Sequence, residues 1–236
     1  MSEPLVELTA IVKDFRGLRP LRIEHLTLAP GEQVAILGID RAAAEVLVNL
    51  VTGATLPDRG SVRLFGRDSA SIAGSEEWLA LLDRFGIVSA RAVLLEALTV
   101  LQNLAVPFSL DIEPLAPGLR ERAASAGREV GLPDHEWDRR VSSLDGVGRV
   151  RVRLARALAL EPTVVLIEHP TADVAREDAA PLGRDIRALL ERRGTAGLTL
   201  TADPEFAAAS SRVLEFDPAR GRLVERRRGW LSNWGV

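Results

Sequence analysis

The chain has 236 residues, 47% of them hydrophobic, which suits one large globular domain or a domain with a sub-lobe and excludes a disordered polypeptide. Its 30 basic and 33 acidic residues are interspersed and leave a formal net charge of −3, which excludes the basic excess of a nucleic-acid binder. Without cysteine there is no disulfide or thiolate metal site, and the isolated His25, His135 and His169 make no histidine metal site.

In chain order, "LVELTAIVKDF" (Leu5–Phe15) alternates like a strand. "LRIEHLTLAPGEQVAILG" (Leu21–Gly38) reads as two strands joined by a turn at Pro30-Gly31. A helix is expected from Ala42 to about Val51, and Asp58-Arg59-Gly60 as a turn into a short strand. "FGIVSA" (Phe85–Ala90) is another short apolar strand. Arg91 to Arg140 is rich in Leu, Ala, Glu and Arg and reads as helices broken at Pro107, Pro114, Pro117 and Pro133. A basic amphipathic helix follows from Val147, stopped by Pro162, then a buried strand, "TVVLIEHP" (Thr163–Pro170). "EDAAPLGRDIRALLERRG" (Glu177–Gly194) is a helix ended by glycine, "AGLTLTAD" (Ala196–Asp203) a strand, and Arg212–Arg226 a terminal hairpin. Strands alternating with helices imply an α/β protein with a mostly parallel sheet.

The stretch "ILGIDRAAAEVL" is built like a phosphate-binding loop: an apolar strand ends at Gly38 and a helix follows. Yet the loop has no second glycine, and no lysine or hydroxyl opens the helix. The only lysine of the chain is Lys13, so none can be supplied from elsewhere. Read locally, "DRAAAEVL" starts a helix without any ligand. Asp40 can cap the free N–H groups, alanines favour helix, and Glu45 suits the positive helix end.

The order of these pieces resembles the ATPase subunit of ATP-binding cassette (ABC) transporters over nearly the whole chain. "PGEQVAILG" matches the strand before that family's phosphate loop, and "LVNLVTGATLPDRGSVRLFGRD" the stretch after it. "ALTVLQNLAVPFSL" is similar to the family's helical-lobe entry. "RVRVRLARALALEPTVVLIEHPTADV" is similar to QRVxIARALAxxPxxLLxDEPTxxLD. The resemblance implies a P-loop NTPase-like core, with an antiparallel β edge subdomain, over residues 1–90 and 141–225. It implies a helical subdomain over 91–140, followed by a basic, tryptophan-containing tail, 226–236.

The chemical positions depart from the family pattern. Its nucleotide-binding positions fall on Phe15, Gly38, Ile39, Asp40, Arg41, Ala42, Ala43, Ala44, Glu45 and Val46. Ala43 stands at the second glycine, Ala44 at the lysine, and Glu45 at the Ser/Thr. An acid there repels a triphosphate: two unit charges ~4 Å apart repel by about 4 kcal/mol at an effective dielectric of ~20. Phe15 matches an aromatic that stacks on adenine and equally suits core packing; both readings stay open. Ala90 replaces the Mg²⁺-contacting glutamine, and Ala202 the switch histidine. Glu168 stands at the metal-binding aspartate, as a weak metal candidate, and His169 at the catalytic glutamate. The signature loop is Leu144, Asp145, Gly146, Val147 and Gly148, with Asp145 at the serine that would meet the partner's nucleotide.

The expectation is therefore a pseudo-ATPase with no catalytic residues and no cofactor, ATP and Mg²⁺ entering only if the fold-level resemblance extends to binding. It would act as structural or regulatory partner of a membrane transporter, cytoplasmic and peripheral at the inner face of the cell membrane. In the family, the groove beside "LEALTVLQNLAVPF" receives a short coupling helix of the transmembrane subunit. Implied partners are that subunit and a second cassette subunit, as homo- or heterodimer. The tail, with Trp230 and Trp234, suits membrane-surface contact. Two alternatives stand beside this: half of a heterodimer in which only the partner's site hydrolyses ATP, or a soluble scaffold unrelated to transport.

Overall fold

The computed structural model describes residues 3–225, apart from residues 16, 18, 218 and 219. The expected membrane contact of residues 226–236 lies outside the described residues. No helix among the described residues is long and apolar enough to cross a membrane.

β1 (Val6–Lys13) and β2 (Leu21–Leu28) alternate buried and exposed residues and pair antiparallel, one face covered and one open. β3 (Gln33–Leu37) is buried throughout. The turn at Pro30-Gly31, with Gly31 at φ 71°, does not make β2 and β3 a hairpin. Instead it passes the chain across the sheet, since two C-terminal strands, Arg212–Asp217 and Arg222–Glu225, lie between them. After α1 (Arg41–Val51), β4 (Arg59–Leu64) and β5 (Arg67–Asp68) extend the antiparallel edge. Arg59 and Gly60, expected in a turn, already belong to β4. Gly60 sits at a register shift against β1, at φ 89°, where a Cβ would meet the Thr9 carbonyl oxygen at 2.4 Å.

α2 (Ser75–Leu82), which no sequence expectation covered, opens with Glu76 and Glu77 and is pinned by the Trp78 indole donating to the Thr52 carbonyl at 3.1 Å. β6 (Phe85–Val88) follows. The segment 91–140 holds α3 (Val100–Ala105), opened by a Thr99/Gln102 capping box, and α4 (Pro117–Glu129). Pro117 does not break a helix; it is the first residue of α4, where its missing N–H costs nothing. α5 (Gly146–Leu158) ends before Pro162, which lies beyond it. β7 (Val164–Glu168), α6 (Arg176–Arg193), β8 (Ala196–Thr201), α7 (Pro204–Ala207), β9 (Arg212–Asp217) and β10 (Arg222–Glu225) complete the chain. α6 stops where Gly194 turns left-handed at φ 64°.

One sheet results, in the order β5-β4-β1-β2-β10-β9-β3-β8-β7-β6, and β9, β3, β8, β7 and β6 run parallel. Strand alternation divides the core between its faces. Val164 and Leu166 of β7 join α1 and the antiparallel edge, whereas Val165 and Ile167 join α3, α4, α5 and α6. The parallel strands end together, which gathers Gly38, Glu168 and Thr201 at one side of the molecule.

Gly146 opens α5 against the 171–174 loop: a Cβ there would lie 1.9 Å from the Asp173 carbonyl oxygen. Gly146→Ala is expected to destabilise the chain by about 2 kcal/mol or to displace that loop, read from urea denaturation midpoints. An unchanged midpoint with native-like packing of the loop would contradict this close contact.

Candidate functional site

The site is built at the carboxyl ends of β3, β7 and β8, where open α/β sheets place their ligands. Gly38 leaves β3 at φ 80°, its N–H bound to the Thr201 carbonyl at 2.8 Å, and Ile39 is fully buried. Asp40 then caps α1: its Oδ1 accepts from the Ala43 N–H at 2.8 Å, and its carbonyl from the Ala44 N–H at 2.9 Å. One free helix-end donor, the Ala43 N–H, is thus met by a side chain of the chain itself. Ala43 and Ala44 are 0% exposed and pack into the core, and Val46 packs partly against it. Arg41, Ala42 and Glu45 face outward. Lys13 lies on β1 and pairs with Asp58 at 2.9 Å.

Glu45 corrects one local expectation. It lies beyond the first turn of α1, which holds no acid, so it does not complement the helix end. It meets Arg91 instead, Nη1 to Oε1 at 3.0 Å. The same guanidinium donates to Glu168 Oε2 from Nη2 at 2.7 Å and from Nε at 3.2 Å. Glu168, at the end of β7, keeps only 8% of its side chain exposed, against 46% for Arg91 and 54% for Glu45. One arginine therefore lies between two carboxylates, brought there from the turn after β6. Ala90 precedes it and carries no polar group. Sequence reading stopped at Ala90 and missed Arg91; the only signal was an arginine directly after a short buried strand.

His169 follows Glu168 at φ 44°, with its N–H on the Leu200 carbonyl at 2.8 Å. Its Nε2 is buried and has no hydrogen-bond partner. Ala202 leaves β8 beside it, and Asp203 caps the next turn by accepting from Glu205 N at 2.9 Å. A crevice of about 590 Å³ is lined by these groups, with Asp40, Asp203 and Glu205 as its acids and Arg41 and Arg176 as its cations. Among the described residues no cluster of three or more His, Asp or Glu is arranged to hold a metal.

Of the remaining positions, Gly146 lines a small cavity together with Ala90, Glu168 and His169. Phe15 is partly buried against the core cluster. Leu144 is buried, and Asp145 caps α5 through its Oδ1, which accepts from Gly148 N at 2.7 Å. Gly146, Val147 and Gly148 form the first turn of α5.

Comparison with known proteins places the chain. The family model "ABC transporter" matches residues 21–172. The lipoprotein-releasing system ATP-binding protein LolD of Pseudomonas syringae pv. tomato is 33% identical over 201 residues, covering 85% of this chain and 87% of that protein. The macrolide export ATP-binding/permease protein MacB 1/2 of Paracoccus denitrificans is 32% identical over 232 residues, 95% of this chain and 34% of the longer relative. Among solved structures, cbiO1 from Clostridium perfringens, part of the cbiONQ ABC transporter complex, superposes with a TM-score of 0.77 at 20% identity, covering 94% of this chain and 88% of that one. A dimeric post-hydrolysis state of the cassette MJ0796, bound to ADP and Pi, gives 0.73 at 22% identity, with 92% and 96% covered. The ordered strands, the α1 entry and the two homology signals agree: this chain belongs to the ABC transporter family and corresponds to its ATP-binding domain.

Proposed function

We propose that this chain is a cassette subunit that does not turn over ATP and serves as a structural or regulatory partner of a membrane transporter. The observation that carries the reading is the Arg91 bridge. In P-loop NTPases Mg²⁺ is held by the loop's Ser/Thr and by the acid at a strand end. Here those positions are Glu45 and Glu168, and a tethered guanidinium lies between them. A fixed +1 group takes the place of a mobile +2 ion, so a metal must first displace the arginine from both carboxylates.

Phosphate meets a parallel obstacle. Its binding relies on charge-assisted hydrogen bonds, from a lysine and from inward-turned N–H groups. Ala44 replaces that lysine, and Asp40 already takes the Ala43 N–H. Magnesium triphosphate therefore does not fit the residues present, and no reaction step is assigned to it. His169 lacks a proton acceptor on Nε2 and sits beside a carboxylate already paired with Arg91.

What the chain keeps is contact surface. Leu79, Ile87 and Leu160 are 53%, 37% and 61% exposed around a groove between α2, β6 and α5, which supports docking on a transmembrane subunit. MacB, by its name, joins an ATP-binding part and a permease, and this chain matches a third of it. The dimeric MJ0796 structure supports pairing with a second cassette subunit. Residues 91–140 act in this reading as the helical lobe that borders the groove.

Two outcomes are expected. Millimolar Mg-ATP leaves the melting temperature unchanged and yields no phosphate release above buffer; stabilisation by several degrees, or steady turnover, overturns the proposal. Arg91→Met costs about 2 kcal/mol in urea denaturation, because Glu168 is left buried without its cation, and adding Glu168→Leu restores most of that loss. A neutral Arg91→Met would mean the guanidinium does not compensate Glu168.

A further inference from the structure

α5 carries a run of arginines, and nearly all of them are spoken for. Arg149 binds Glu96 with two bonds, at 2.6 and 3.0 Å. Arg151 binds Asp185 at 2.8 Å and the Gly131 carbonyl. Arg156 donates to the Val93 carbonyl at 2.9 Å. Arg153 differs. Its guanidinium makes no hydrogen bond or ion pair among the described residues, and its Nε is buried without an acceptor. Burial lowers its pKa most, and Arg149 lowers it further; Asp173 and Glu96 act in the opposite direction, and Arg156 adds a smaller lowering. Glu96 is already committed to Arg149.

Arg153 lines the groove of about 490 Å³ whose walls include the exposed Leu79, Ile87 and Leu160, with Val106 and Pro107. Asp83 also lines the groove, but among the described residues it makes no hydrogen bond or ion pair with Arg153. A half-buried guanidinium with no direct acceptor costs stability, since its lost hydration is repaid only by charges at a distance. Within an apolar groove it has one chemical complement, a carboxylate carried by something apolar.

We propose that Arg153 pairs with an acidic side chain on the short amphipathic helix by which the membrane subunit docks in this groove. This rests on the docking proposed above and deepens it by naming the chemistry of the partner. The apolar face of the helix covers Leu79, Ile87 and Leu160, while its carboxylate supplies the acceptor that Arg153 lacks. Arg153 thereby sets which helix is accepted: one with a neutral or basic residue at that point leaves a buried cation unpaired.

The test uses the full chain and a fluorescein-labelled, hydrocarbon-stapled amphipathic peptide with a leucine face and one central Glu, against its Gln and Lys versions. Polarisation is expected to show the Glu peptide binding about tenfold tighter than the Gln peptide, as a charged hydrogen bond allows. Arg153→Gln removes the preference and leaves Gln-peptide affinity unchanged; Arg153→Glu turns the preference toward Lys. Leu160→Asp weakens all three peptides. In the isolated chain, Arg153→Met leaves the melting temperature equal or higher, which an internally paired arginine would not do. Equal affinity for Glu and Gln peptides, with Leu160→Asp still disruptive, sinks the anchor but leaves groove docking standing. No binding by any peptide, or binding indifferent to Leu160→Asp, removes both.

Discussion

The end of β7 depends on one cation. Glu168 is nearly enclosed, and an enclosed carboxylate needs a counter-charge or several donors. Arg91 provides both, with two N–H groups on Glu168 Oε2 and a third direction turned to Glu45. The pairing joins the turn after β6, the end of β7 and the second turn of α1. These are pieces of chain that a nucleotide and its metal would otherwise connect. The local sum of one positive and two negative charges also leaves the site acidic, so a further anion meets repulsion.

The helix-starting loop follows the same logic on a smaller scale. A helix N-terminus presents unpaired N–H groups and a partial positive charge. Asp40 answers both at α1, as Asp145 does at α5 and Asp203 at α7. An aspartate one residue before a helix needs no ligand. The three caps each satisfy a helix-end donor from within the chain. The scaffold beneath is unaffected, because its stability comes from the buried parallel strands and the two apolar faces they create.

Satisfied and unsatisfied charge are distributed unevenly. Arg91, Arg149, Arg151 and Arg193 all have carboxylate partners. Arg193 grips Glu129 with two bonds of 2.6 Å, and that hydrogen bonding lowers the Glu129 pKa. Arg153 has no such partner among the described residues and lines the groove with Leu79, Ile87 and Leu160. This asymmetry is what the proposed role in assembly rests on.

The sequence by itself determined the strands and most helices. Uninterrupted apolar runs such as "TVVLIE" specify strands covered on both faces, and caps such as Asp40, Thr99 and Gly194 act within three or four residues of themselves. It also places Ala44, Glu45 and Ala90 where the family resemblance implies lysine, a hydroxyl and glutamine. Shorter signals failed: α2 and α7 are brief, and Arg59-Gly60 looks like a turn until β1 pairs with it. Only the tertiary structure decided what fills the site. Arg91 and Glu168 are 77 positions apart, and their meeting depends on β6 lying beside β7 in register, with α1 beyond. Arg153 likewise reads as one more arginine on an amphipathic helix until packing shows which of its neighbours are already paired. Capping and periodicity are short-range and survive in one dimension; the pairing of charges is a question of distance in three.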